Sequence, residues 1–188
     1  GRAKCAVVAG DNKQLPPTSF FQKKIEGGDD DAIDVESFLD DCLGVRMPET
    51  YLEWHYRSRH ESLIGFSNTM FYGSRMLTFP SPNDSATKVS LVRVKGTYER
   101  GRRTNPEEAR AVAEEVRRRV LDPELRKMSI GIVAFSISQQ SAIEDELDEM
   151  EKNDKEFSLA LASMPEPLFV KNLETVQGDE RDVILFSI

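Results

Sequence analysis

Short apolar runs alternate along this chain with longer stretches in which apolar residues recur every three or four positions. Short runs that end at turn-forming residues are typical of strands. Runs that are apolar almost throughout, such as "IGIVAF", indicate a parallel sheet covered on both faces. Strands are therefore predicted at residues 5–9, 50–56, 75–79, 89–94, 130–135, 168–173 and 182–188.

The clearest helical stretch is "NPEEARAVAEEVRRRVL", residues 105–121. Asn105 is its predicted N-cap, Pro106 takes the first helical position and Glu108 completes a capping box. The apolar stripe consists of Ala109, Val112, Ala113, Val116 and Val120. On the solvated face, i,i+4 spacing predicts the ion pairs Glu114–Arg118 and Glu115–Arg119.

Three further stretches have the helical pattern. A helix is predicted to begin after Ser138 and to bury Ile143, Leu147 and Met150. The other two are "VESFLDDCL" and "ESLIGFSNTMFY". Because strands alternate with helices, the pattern predicts an α/β fold with a doubly wound, mostly parallel sheet and helices on both faces. The chain stops inside the apolar run "DVILFSI", so we expect it to be a piece of a longer protein.

Composition bounds the class of protein. The 188 residues are 39% hydrophobic and 31% charged, which suits one soluble domain or slightly more. No run approaches the ~20 apolar residues of a membrane span, and "GRAKCAVVAGD" lacks the length and the small-residue cleavage site of a signal peptide. We therefore expect an intracellular, cytoplasmic protein without membrane contact. Cys5 and Cys42 are predicted to be reduced, packed thiols, and no Cys/His spacing suggests a metal site.

The net charge of −8 argues against a surface that attracts nucleic acid uniformly. It leaves room for local basic clusters, which are either solvated faces or part of a binding surface. These clusters contain Lys23, Lys24, Arg57, Arg59, Arg100, Arg102 and Arg103.

Polar residues of defined type follow predicted strands in three places, where an open α/β sheet binds its ligands. In "GDNKQLPP", residues 10–17, turn formation accounts for Gly10 and Asp11, and the prolines end the element. Gln14 is left as either a ligand contact or a cap of the turn. The other two places are "LEWHYRSRHESLIGFSNTMFY" and "NLETVQGDERDVILFSI".

These stretches resemble motifs of the superfamily 1 helicases, specifically of their second, C-terminal RecA-like motor domain. "GDNKQLPP" resembles motif III, and "ETVQGDERDVILFS" resembles motif V. "L-x-x-H-Y-R" resembles motif IV, with His55 where the family usually has glutamine, which leaves the role of that position open. "SIGIVAFSISQQ" is similar to the family's strand-then-helix segment. The resemblance covers nearly the whole chain, and extends more weakly to large multidomain bacterial proteins with such a motor.

The resemblance implies a RecA-like P-loop NTPase fold that binds ATP with Mg²⁺ between two such domains. Arg57 would reach across to the γ-phosphoryl group as an arginine finger, and Gln14 would sense the γ-phosphate or the attacking water. Gly178 would let the backbone approach the nucleotide, and Glu180 would accept hydrogen bonds from the ribose hydroxyls. A surface arginine paired with a carboxylate is the alternative for Arg57.

Single-stranded DNA or RNA is the implied second ligand. Thr175 and Gln177 would bond phosphate oxygens without reading sequence, and Ser136 and Ser138 are assigned to the same surface. The alternative for residues 175–181 is an ordinary turn between strands. Trp54 and Tyr56 are expected to pack within the protein and not to stack on bases.

The resemblance also implies a division of the chain. Residues 1–18 would be the last strand and exit linker of the preceding RecA-like domain, which would be a partner in the same chain. Residues 19–188 would be the second domain, truncated before motif VI. The sequence has no G-x-x-x-x-G-K-[ST], so this piece alone is predicted to be inactive. The alternative function is a non-catalytic α/β module that binds nucleic acid or a protein.

Overall fold

The computed structural model describes residues 4–14, 37–82 and 87–188. The chain divides into two compact units, Gly1–Leu91 and Val92–Ile188. The first contains α1 (Phe38–Gly44), β1 (Trp54–His55), α2 (Ser62–Phe71) and β2 (Leu77–Thr78). The second contains α3 (Pro106–Leu121), a 3-10 turn (Leu125–Lys127), β3 (Ile130–Ala134), α4 (Ile137–Asn153), α5 (Lys155–Ala162), β4 (Phe169–Asn172) and β5 (Val183–Ser187).

Several predictions fall outside the described residues. They are the domain boundary after residue 18, the basic pair Lys23 and Lys24, residues 15–17 of "GDNKQLPP", and the first two residues of "VESFLDDCL".

A parallel three-stranded sheet organises the second unit, in the order β4-β3-β5. Ile132 on the central strand is level with Val170 on one side and Leu185 on the other. Every residue of β3 is buried, as expected for the apolar run that forms it. The predicted strands at 130–135, 168–173 and 182–188 are confirmed, each slightly shorter than its run.

Helix α3 begins as its sequence predicts. The Asn105 side chain accepts a hydrogen bond from the Glu108 amide at 3.3 Å, and Asn105 Nδ2 donates to the Glu108 carboxylate at 3.3 Å. The apolar stripe of α3 packs on Ile130, Ile132 and Ala134 of β3. The stripe consists of Ala109, Val112, Ala113, Val116 and Val120. The N-cap and the buried face are therefore confirmed, whereas the capping box is incomplete, because the Asn105 backbone amide donates to Gln139 Oε1 at 2.8 Å and not to Glu108.

One ion pair on α3 differs from the prediction. Glu115 accepts hydrogen bonds from both Arg118 and Arg119, at 2.7 Å from the Nε atom of each. The predicted pair between Glu114 and Arg118 was therefore wrong. Residues three and four apart are both neighbours on a helix, so one carboxylate can serve two arginines. These two guanidinium groups lower the pKa of Glu115, although its partial burial opposes them.

Helix α4 begins two residues earlier than predicted, because its N-cap is Ser136 and not Ser138. Ser136 Oγ accepts a hydrogen bond from the Gln139 amide at 3.1 Å. The prediction that Ile143 and Leu147 are buried is confirmed, and Met150 packs against the same core. Helix α5 was not predicted, since its short apolar pattern follows a run of charge.

In the first unit, β1 and β2 form a parallel pair only two residues long. Trp54 is level with Leu77, and the Trp54 ring stacks on Phe79 with centroids 5.0 Å apart. Trp54 is nevertheless 59% exposed and Tyr56 is 78% exposed, so the prediction that both pack within the protein was wrong. Helix α2 occupies nearly all of the predicted stretch "ESLIGFSNTMFY".

Two predicted strands do not form. Residues 5–9 and 89–94 have no strand assignment, and Val7, Leu91 and Val92 in them are exposed. A strand needs a neighbouring backbone to pair with, and an apolar run does not supply one. Cys5 lies in the first of these segments and is exposed, so the prediction of a packed thiol was wrong there, whereas Cys42 is buried as predicted.

Candidate functional site

The described part of "GDNKQLPP" is a turn built around Asp11. Its Oδ1 accepts a hydrogen bond from the backbone amide of Lys13 at 2.9 Å. The backbone amide of Gln14 donates to the backbone carbonyl of Asp11 at 3.3 Å. The Gln14 side chain also donates from Nε2 to Asp11 Oδ2 at 3.1 Å. Gln14 is exposed and held by the turn, so its side-chain direction is fixed locally.

A residue that sequence reasoning missed completes this turn. The Tyr72 hydroxyl donates a hydrogen bond of 2.6 Å to Asp11 Oδ2. Burial, together with the bond to Asp11 and the charge of that carboxylate, raises the pKa of Tyr72 to about 12. Burial would raise the pKa of Asp11, but hydrogen bonds from Tyr72, the Lys13 amide and Gln14 outweigh it and keep that pKa below its usual value. Asp11 is therefore an acceptor and Tyr72 a donor at neutral pH.

Arg57 follows β1 on a loop whose shape His55 determines. His55 Nε2 accepts a hydrogen bond from the Ser58 amide at 3.2 Å and contacts Ser58 Oγ at 2.7 Å. Burial and the nearby charge of Arg57 lower the pKa of His55, which favours the neutral ring that this acceptor role requires. His55 thus has a local role in holding the loop that presents Arg57.

The Arg57 side chain is exposed. Within residues 4–14, 37–82 and 87–188, no carboxylate forms an ion pair or a hydrogen bond with Arg57. Other arginines of the chain do form such pairs, for example Arg117 with Asp154 at 2.6 Å. The alternative of a surface arginine neutralised by a neighbour therefore has no support in the described part of the chain.

The loop between β4 and β5 is held by Asn172, a second residue that sequence reasoning missed. Asn172 Oδ1 accepts hydrogen bonds from the Glu174 amide at 3.1 Å, the Thr175 amide at 3.0 Å and the Thr175 hydroxyl at 3.1 Å. Asn172 is buried and Thr175 is exposed. An asparagine at the end of a strand, followed by Thr two or three positions on, is the sequence signal for such a turn.

The second half of this loop leaves Gly178 and Glu180 exposed. Gly178 has a φ of +92°, and nothing lies within 4 Å of where a Cβ would be. Lys171 pairs with Asp179, and Arg181 pairs with Glu166 at 2.9 Å while its guanidinium lies 4.9 Å from the Phe169 ring centroid. The charged residues on either side of Glu180 are thus anchored to β4 and to the segment before it.

The remaining predicted residues lie at the start of α4. The Ser136 hydroxyl caps the helix and donates to the Arg103 carbonyl at 3.1 Å, whereas Ser138 is exposed in the first turn. Gln139 is buried, and its Nε2 donates to Ser187 Oγ at 3.0 Å. Ser187 Oγ in turn donates to Glu108 at 2.9 Å, so the start of α4 and the end of β5 are joined to α3.

Residues 35–188 match the family model AAA_12, which describes an AAA domain. The chain belongs to this family. It is 32% identical over 201 residues to "Uncharacterized ATP-dependent helicase MG140" of Mycoplasma genitalium, which covers 100% of this chain and 18% of that protein. It is also 32% identical over 196 residues to the MG140 homolog of Mycoplasma pneumoniae, covering 97% of this chain and 17% of that protein.

The match and the relatives confirm that the chain is a superfamily 1 helicase-like domain. The family has the P-loop, RecA-like type of fold, and the helices and parallel sheets agree with that part of the fold prediction. The chain spans less than a fifth of the length of these two relatives. None of the helices in the described part of the chain is long and apolar enough to cross a bilayer.

The predicted site residues of this helicase-like domain are divided between the units. Gln14 and Arg57 lie in the first unit, and no hydrogen bond between described residues joins them. The loop and helix residues of the second unit are Thr175, Gln177, Gly178, Glu180, Ser136 and Ser138. Within that unit, the first four share the loop between β4 and β5, whereas the two serines follow β3.

Proposed function

We propose that this chain supplies the second half of the ATP site and part of the single-strand surface of an ATP-dependent superfamily 1 helicase or translocase. Residues 1–18 would end the preceding RecA-like domain, and residues 19–188 would be the second domain, with a doubly wound sheet. The full-length protein would continue into motif VI. The names of both relatives and the order of motifs III, IV and V support this proposal.

The observation that carries the proposal is the exposure of the Arg57 side chain. An exposed guanidinium without a carboxylate partner among the described residues is available to an anionic ligand. Because the His55–Ser58 hydrogen bonds hold the loop, less loop entropy is lost when Arg57 binds. A planar, permanently charged guanidinium can donate to two phosphate oxygens at once.

The other predicted ATP contacts fit a nucleotide by their local geometry. Gly178 has a left-handed φ and open space around it, so a phosphate or ribose can approach the backbone. Glu180 is exposed, so its carboxylate can accept from ribose hydroxyls. Gln14 would orient the attacking water, and Arg57 would donate to oxygens that gain charge. ATP bound with Mg²⁺ supplies the γ-phosphoryl group, and the family resemblance assigns the Mg²⁺ ligands to the preceding domain.

Thr175, Gln177, Ser136 and Ser138 are proposed to face the single strand. Hydroxyls and amides bond phosphate oxygens without reading the bases. The single hydroxyl hydrogens of Thr175 and Ser136 are donated to Asn172 and to the Arg103 carbonyl, so each hydroxyl would have to rotate away from that acceptor in order to donate to a phosphate oxygen. Ser138 is exposed in the first turn of α4, where a helix N-terminus favours anions.

The test is steady-state ATP hydrolysis by the full-length protein with Arg57→Ala. Loss of an arginine finger should lower kcat by about 10³ to 10⁵ and change KM for ATP much less. Arg126→Ala is the matched control, because Arg126 is an exposed arginine in the 3-10 turn and is not among the proposed site residues. Control and wild-type rates should agree.

Equal loss of ATP affinity and turnover, or no effect of Arg57→Ala, would contradict the finger assignment. A full-length protein that binds single strands without hydrolysing ATP would support the rival function, a non-catalytic binding module. The 188-residue chain alone should show no ATPase activity, because its sequence lacks the phosphate-binding loop.

A further inference from the structure

One carboxylate oxygen of Asp11 bonds two side chains of the first unit that are far apart in sequence, those of Tyr72 and Gln14. Oδ2 accepts from the Tyr72 hydroxyl at 2.6 Å and from Gln14 Nε2 at 3.1 Å. Tyr72 lies 61 positions along the chain from Asp11, so this contact is made by folding and not by local sequence. A hydrogen bond between a phenol and a carboxylate is charge-assisted, and it belongs to the stronger class.

The bond to Asp11 fixes which end of the Gln14 amide is available. An ionised carboxylate only accepts hydrogen bonds, so the NH₂ group of Gln14 faces Asp11. The carbonyl oxygen of Gln14 is then the end that can accept from a water molecule. Rotation of Asp11 would release this constraint, and the hydroxyl of Tyr72 opposes that rotation.

Tyr72 is itself held by the structure around it. It is the C-cap of α2, and its amide donates to the Asn68 carbonyl at 3.2 Å. The Asn68 side chain accepts from the Met76 amide and donates to the Met76 carbonyl, both at 3.0 Å. Met76 precedes β2, which pairs with β1 before Arg57. A continuous hydrogen-bonded framework therefore links Tyr72 to the strand that leads to Arg57.

We propose that Tyr72 is a positioning residue that sets the orientation of Gln14 through Asp11, so that the Gln14 carbonyl faces the attacking water. The inference rests on the proposed function, in which Gln14 acts at the γ-phosphate. It adds a residue outside the three motifs to the site. In the proposed division, Tyr72 belongs to the second domain and Asp11 to the end of the preceding RecA-like domain. The hydrogen bond between them would therefore join the second domain to that turn.

The experiment is a double-mutant cycle of Tyr72→Phe and Gln14→Ala in the full-length protein, with kcat and KM for ATP as readouts. Tyr72→Phe removes only the hydroxyl. It should lower kcat about tenfold, within the roughly 100-fold that a 1 Å misplacement can cost, and leave KM within about twofold. In the Gln14→Ala background, Tyr72→Phe should cause no further loss, because both changes remove the same contribution.

Tyr51→Phe is the matched control. Its hydroxyl is buried in the same unit and bonds to no other described residue, so removal should leave kcat unchanged. Asp11→Asn is the second test variant, for use if Tyr72→Phe does not fold. Its amide offers one acceptor oxygen in place of the carboxylate, so it should lower kcat in the same manner.

The outcomes separate the two proposals. A kcat loss that is equal with and without Gln14 would show that Tyr72 acts structurally and would overturn the positioning role. Unchanged kcat in Tyr72→Phe and Asp11→Asn, together with a large loss in Gln14→Ala, would also overturn it while the proposed function stands. If Gln14→Ala and Arg57→Ala both hydrolyse ATP normally, the proposed function itself fails.

Discussion

The guanidinium of Arg117 donates two hydrogen bonds to one carboxylate oxygen of Asp154, from Nε at 2.8 Å and from Nη2 at 2.6 Å. The other oxygen of Asp154 accepts from the Phe157 amide at 3.0 Å. Asp154 thereby ends α4, caps α5 and ties both helices to α3. The backbone hydrogen bond from Phe157 and the bond from Arg117 lower the pKa of Asp154.

Asp154→Asn should therefore destabilise the chain in a pH-dependent way. A carboxyl group whose pKa is lowered by folding contributes stability above its unfolded pKa of about 3.9, and this contribution is lost as pH falls through the folded value. The difference in melting temperature between wild type and Asp154→Asn should be constant near neutral pH and vanish in acid. Asparagine still caps the helix, so the comparison isolates the charge. A difference that persists below the folded pKa would show that the pair with Arg117 contributes little.

Asn172→Ala should destabilise the chain by about 1 to 3 kcal/mol, because a buried acceptor of three hydrogen bonds is lost. Denaturant unfolding of the 188-residue chain measures the change. Asn172→Asp keeps the acceptor oxygens but places a charge in a buried position, so it should also destabilise the chain. Lys152→Ala, on the exposed face of α4, is the control and should be nearly neutral. Full stability of Asn172→Ala would mean that the turn forms without this side chain.

The loop between β4 and β5 should respond differently to changes at its two ends. Substituting Thr175 and Gln177 by Ala in the full-length protein should weaken stimulation of ATPase by single strands more than basal ATPase. Glu180→Ala should instead raise the ATP concentration needed for half-maximal rate, since the proposed ribose bond is lost. The measurement is ATPase rate against ATP concentration, with and without a saturating single strand. Proportional losses in both conditions would make the loop a structural support only.

The isolated chain should bind single-stranded nucleic acid weakly and with a steep dependence on salt. Its net charge is −8, and it carries only part of the proposed channel, so phosphate contacts and counterion release would supply the affinity. Titration of a labelled single strand at several salt concentrations measures this. Submicromolar binding that does not change with salt would favour the rival function of a binding module.

The sequence by itself determined the second unit in most of its detail. The N-cap at Asn105, the apolar stripe of α3 and the continuous apolar run of β3 are local patterns that the structure reproduces. The order of the polar motifs also determined the family, which the match over residues 35–188 confirmed. Only short elements with mixed patterns, such as α5, were missed there.

Tertiary structure decided the strands and hydrogen bonds that need a partner far away in the sequence. The apolar segments 5–9 and 89–94 read like strands, but a strand exists only where another backbone pairs with it. The hydrogen bond between Tyr72 and Asp11 has no local signal, since 61 positions separate the two residues. Hydrogen bonds between residues far apart in sequence form only after the chain has folded, so neither spacing nor composition can predict them.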